Sequence, residues 1–88
     1  MSSTRIGDLE QLSALKVAFD QQGQAVDELA GAIRSQLGNT VWEGPAADRF
    51  RDAWSGEFEP ALRKLQAAFQ EAGNEVNTRR TALEQATA

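Results

Sequence analysis

The side chains in this chain that could do chemistry are almost all carboxylates and guanidinium groups. Asp48 and Asp52 lie one helical turn apart, with Arg49 and Arg51 around them. Glu57 and Glu59 follow closely, and Arg63-Lys64 and Arg79-Arg80 form two basic pairs further on. Paired carboxylates can serve as general acid and base or as ligands to a hard cation. Here the neighbouring arginines point to a surface salt-bridge lattice, with Asp48 and Asp52 also favoured by the helix dipole. Glu57, Glu59 and both basic pairs read in the same way, as solvated helix faces. Histidine and cysteine are both absent. That removes imidazole bases, thiol nucleophiles, disulfides and the usual zinc ligands together. Gly44 and Gly56 are isolated glycines, without the spacing of a phosphate-cradling loop. The expectation is a non-enzymatic protein with no catalytic, metal or cofactor site.

Charge and length narrow the reading further. The formal net charge of −4 argues against nucleic acid as a partner. Interfacial membrane helices usually carry a cationic polar face, so stable membrane insertion is not expected, and membrane disruption ranks as a poor third function. No apolar run approaches the roughly 20 residues of a membrane span. The opening "MSSTRIGDLEQL" lacks a charged head followed by an apolar segment, so a cleaved signal peptide is not expected. At 88 residues the chain holds one thin domain. Domains near this size bury only about 60% of the surface their unfolded chains expose. Without disulfides or metals, association is the remaining way to make up the shortfall.

The elements that would position these groups are helical. Leu9, Leu12, Lys16, Phe19, Gly23, Val26, Ala30, Ile33 and Leu37 alternate three and four apart, which predicts a helix over about 8–37. Leu15 and Leu29 widen that seam on one flank. Asp8 with Gln11 is a plausible N-terminal cap, and Ser3 or Thr4 offers an earlier start. Gly38-Asn39 supplies a stop through the left-handed conformation both residues tolerate. The turn is expected over 38–44.

The second helix is expected over about 45–86. Pro45 suits its first position; Thr40 and Glu43 form a rival capping box that Pro45 weighs against. Its stripe runs through Ala47, Phe50, Trp54, Phe58, Ala61, Leu62, Leu65, Phe69, Ala72, Val76 and Leu83. "SGEFEP" places Gly56 and Pro60 about a turn apart, predicting a kink there, with a true break into two helices as the lesser reading.

No strand pattern or internal repeat is present. The fold class is therefore all-α: a helix-turn-helix hairpin of two long antiparallel helices, the first about 45 Å long. Two helices bury one stripe on each other and leave Leu15, Leu29, Phe58 and Phe69 half covered. Pairing with a second hairpin into a four-helix bundle would close the open faces. The residues expected to pack within the hairpin or across a dimer are Leu12, Leu15, Phe19, Val26, Leu29, Ile33, Phe50, Trp54, Phe58, Leu62, Leu65 and Phe69. Trp42 sits at the hinge, where it is expected to fold back over the end of the bundle, with Gly44 allowing the sharp approach of the chain.

Trp42-Glu43-Gly44, centred between two amphipathic helices in a short cysteine-free chain, resembles the WXG (Trp-X-Gly) family. These are the Esx-like small substrates of type VII secretion systems in Gram-positive bacteria. The stretch "GPAADRFRDAW" is also similar to the start of the second helix in members of that family. The resemblance covers essentially the whole chain. It implies a hairpin that dimerises, with itself or with a paralogous WXG-type protein, and that is secreted folded by a membrane ATPase without a cleaved signal peptide. It further implies that Trp42 and Gly44 form one half of a bipartite export signal. The other half in the family is a Tyr-x-x-x-Asp/Glu element in the C-terminal tail. This chain contains no tyrosine. A heterodimer in which the partner supplies that tail is the favoured explanation; an altered signal, or retention in the cytoplasm as a homodimeric scaffold or adaptor, are the others.

Overall fold

The computed structural model describes residues 2–87, with side chains described from residue 8 to residue 86. It is an all-helical hairpin. Helix α1 spans Ser2–Asn39, a turn follows at 40–44, and α2 spans Pro45–Ala53. A π-helical turn at Trp54–Phe58 leads without interruption into α3, Glu59–Thr87. The molecule measures 64 × 17 × 14 Å, and α1, about 57 Å at 1.5 Å per residue, sets its length.

Helix α1 is longer than its apolar period predicts, beginning six residues before Asp8 and ending at Asn39. Asp8 is therefore inside the helix and caps nothing, while the side chains of Ser3 and Thr4 lie outside the described set. Gly38 and Asn39 are helical, and the only positive φ among the described residues belongs to Gly44. The left-handed stop expected at Gly38-Asn39 is thus not used. Something else must satisfy the end of α1.

The irregularity at Gly56–Pro60 takes the form of a π turn and not of a break. Glu59 N–H donates to the Trp54 carbonyl, five residues back. Proline lacks an N–H, and its ring crowds the carbonyl four residues earlier. A wider turn directly ahead of Pro60 relieves that contact. The π turn also corrects the phase of the helix. Phe50, Trp54, Phe58 and Leu62 are three successive steps of four residues. Each step overshoots a 3.6-residue turn by about 40°, so the stripe would drift by about 120°. One extra residue in a π turn takes up about 100° of this. Trp54 faces α1 and is 7% exposed, while Phe50 and Phe58 of the same stripe lie at its edge and stay exposed.

The shared seam is narrow. Ala30, Ala47 and Trp54 are the buried hydrophobic residues of the described set, and no large side chain is completely buried. Leu12, Phe19, Val26, Leu37, Leu62, Phe69 and Val76 line the seam half-buried. Two glycines let the helices approach closely. A Cβ on Gly23 would lie 3.6 Å from Phe69 Cβ, and one on Gly73 would lie 3.5 Å from Phe19 Cβ. These reciprocal contacts bring the Phe19 and Phe69 rings together, with centroids 5.9 Å apart.

The two flanks of the seam differ in chemistry. On one, Asp27 and Arg34, a heptad apart on α1, meet Arg63 and Glu59 of α3. Arg63 also approaches Glu59 at 3.8 Å. Glu59 is only 17% exposed at its side chain, so the solvated-face reading fails for Glu59, while Arg63 reaches across the seam from a partly exposed position. Its carboxylate raises the Arg34 guanidinium above its ordinary pKa, through the hydrogen bond first and its charge second. On the other flank lie Leu15, Leu29 and Ile33 of α1, with Phe58 and Leu65, all exposed.

Two measurements test this packing. Trp54→Ala should cost about 3–5 kcal/mol in chemical denaturation, because Trp54 is the one large hydrophobic residue buried among the described residues. Gly31 has open space around it and Gly23 does not. Gly31→Ala should therefore stabilise by about 1 kcal/mol through helix propensity, whereas Gly23→Leu should lower the melting temperature by overpacking the crossing at Phe69.

Candidate functional site

The turn between the long helices is built by Gly44 and Arg51. Gly44 has φ 113° and ψ 172°, a conformation essentially confined to glycine. It is the N-cap of α2 by backbone alone: its carbonyl accepts the Asp48 N–H at 3.0 Å, and no side chain caps the helix. Pro45 occupies the first turn as its sequence position predicts. The Thr40–Glu43 capping box does not form.

Arg51 closes the other side of the turn. Its Nη1 donates to the Trp42 carbonyl at 2.5 Å, and its Nη2 donates to the carbonyls of Leu37 and Thr40, each at 3.1 Å. The guanidinium carbon lies 5.7 Å from the centre of the Trp42 ring. Arg51 is thus not part of a lattice with Asp48 and Asp52. Those two residues and Arg49 are exposed, and no ion pair links them. Fork geometry explains the choice of residue, since a guanidinium presents several donors in one plane.

Trp42 covers the hinge only in part. It is 41% exposed, and its ring meets Phe50 at 6.0 Å between centroids. Phe50 in turn meets Phe58 at 6.2 Å. Trp42, Phe50 and Phe58 form a continuous aromatic strip running from the turn onto the apolar flank. The π turn is part of this arrangement, because Phe50 and Phe58 lie on either side of its start. Beside Trp42, Val41 is 91% exposed. The tryptophan that does fill the seam is Trp54, whose indole N–H has no acceptor among the protein groups.

The expected packing residues therefore divide evenly. Leu12, Phe19, Val26, Trp54, Leu62 and Phe69 face the partner helix. Leu15, Leu29, Ile33, Phe50, Phe58 and Leu65 are exposed. The second group, with Trp42, makes one side of an otherwise charged rod apolar. Three or more acidic side chains arranged to hold a metal ion are not found among the described residues. No described helix is long and apolar enough to cross a membrane.

Comparison with protein-family models, with curated proteins and with solved structures finds no match to the chain.

Arg51 as the fastener of the turn was missed in the sequence, where its neighbours Asp48 and Asp52 supplied a nearer explanation. One signal was present: α1 has no basic residue in its last turn, and an arginine on the following helix can take that place. The conformation of Gly44 gives a direct test. A Cβ there would meet nothing within 4 Å, so any penalty is purely that of the backbone. Gly44→Ala should destabilise by about 1–3 kcal/mol in chemical denaturation despite the open space.

Proposed function

We propose that this chain is a non-enzymatic WXG-type protein: a type VII secretion substrate, or the partner of one, that works as half of a four-helix bundle. The exposed apolar side of the hairpin carries this reading. Exposed apolar side chains occurring singly need no explanation, but a contiguous set marks an interaction surface. Here Leu15, Leu29, Ile33, Phe50, Phe58 and Leu65 share one flank, and the seam beneath them buries little. A second hairpin laid on that flank would supply the missing core, and its source is the chain itself or a paralogous WXG-type protein.

The Trp42-Glu43-Gly44 turn is the second support. Gly44 carries a backbone conformation that requires glycine, and Trp42 stands half-exposed at the tip. With 41% of its surface open, Trp42 is available to a partner at the tip of the hairpin. In this reading the turn is offered to the export ATPase, and the partner's tail provides the tyrosine element that this chain lacks.

One alternative also accommodates the absence of tyrosine: a homodimeric cytoplasmic scaffold that is never exported. Export of the unmodified chain and of one variant separates the two readings. Trp42→Ala should greatly reduce export in cells carrying the secretion machinery while leaving helicity and dimerisation unchanged. Normal export of Trp42→Ala would refute recognition through the turn. Failure of the unmodified chain to leave the cell, even with its paralogue present, would favour the scaffold.

A further inference from the structure

The geometry points to Arg51 as the positioning residue of the turn: it caps α1 from the opposite helix and sets the pose of Trp42. A helix of this length ends with unsatisfied carbonyl groups and the negative pole of its dipole. Helices commonly end on a left-handed glycine or asparagine, or place a cation in their own last turn. Helix α1 does neither. Gly38 and Asn39 remain helical, and the last turn contains no basic residue. What reaches the end of α1 is the Arg51 guanidinium, donating to Leu37 and Thr40 from a position fourteen residues beyond Leu37.

The same group then fixes Trp42 twice. It donates to the Trp42 carbonyl, which holds the backbone, and it lies over the indole, which holds the ring against Phe50. Trp42 is thereby held by a cation and an aromatic ring, while 41% of its surface stays open to a partner. Lysine cannot reproduce this arrangement. Its ammonium is a single point of charge that cannot serve three carbonyls and an indole face from one planar fork. The importance of this pose for recognition rests on the function proposed above, but the positioning itself does not.

Arg51→Lys and Arg51→Met test it, both compared with the unmodified chain by amide hydrogen exchange and by fluorine spectroscopy of fluorotryptophan-labelled protein. Trp42 and Trp54 give separate resonances there, assigned with Trp42→Phe. Loss of the fork should speed exchange at Leu37, Gly38 and Asn39 roughly tenfold, as expected for losing about one net hydrogen bond. The Trp42 resonance should shift and narrow, with Trp54 and the amides of mid-α1 unchanged. Unchanged exchange and an unchanged Trp42 resonance in both variants would overturn the proposal. So would a uniform loss of protection along both helices, which is the mark of a fold-wide contribution and not of local positioning. Export of Arg51→Lys should fall in parallel with that of Trp42→Ala. Normal export of both variants, with the turn loosened as expected, would remove the recognition reading and leave the positioning role intact.

Discussion

A pair of helices has only one shared face, and the packing of this molecule depends on keeping that face in register along its length. Each helix can bury only a stripe on its neighbour, and any drift in phase turns apolar residues out into water. The three four-residue steps from Phe50 to Leu62 would cause such a drift. The π turn at Trp54–Phe58 absorbs it, and Pro60 lies immediately beyond. Trp54 then reaches the seam, and Phe50 lines up with Phe58 on the flank. Gly23 and Gly73 serve the same constraint by letting the helices come close enough for Phe19 and Phe69 to meet.

Register also divides the molecule into two sides. With Gly23 opposite Phe69, the pairs Asp27–Arg63 and Arg34–Glu59 fall together on one flank. Surface ion pairs contribute little stability, about 0–1 kcal/mol each, so their larger effect is on specificity. They leave the opposite flank, where Leu15, Leu29, Ile33, Phe58 and Leu65 are exposed, as the more apolar side of the pair. The aromatic strip begins on that flank and ends at Trp42. The turn and the apolar side are therefore one continuous surface, with Arg51 fastening its end.

Much of this was legible in the residues, and what was not has a common cause. Pro45 marks the start of the second helix because its effect is local to its own φ and missing N–H. Leu15 and Leu29 betray an outer flank because helical periodicity is likewise local. Gly38-Asn39 misleads: both residues could end a helix, but the cap comes from Arg51, and that contact exists only once the chain has folded back. Glu59 and Arg63 read as solvated for the same reason, since their partners Asp27 and Arg34 are far away in sequence and near only in the right register. Trp42 and Trp54 are the sharpest case. Both have the composition of core residues, yet Trp54 fills the seam and Trp42 stays 41% exposed beside Phe50. The run Phe50, Trp54, Phe58, Leu62 carried that information, because three steps of four cannot stay on one face of a regular α-helix.

The central claim is that the apolar flank is covered by a second hairpin. Sedimentation equilibrium at micromolar concentration measures it most directly, with the chain alone and then mixed with the second hairpin proposed as its partner. The account predicts an assembly of two hairpins, about twice the 9.6 kDa of the single chain, in at least one of the two samples. A cooperatively folded species that stays at 9.6 kDa in both would contradict it.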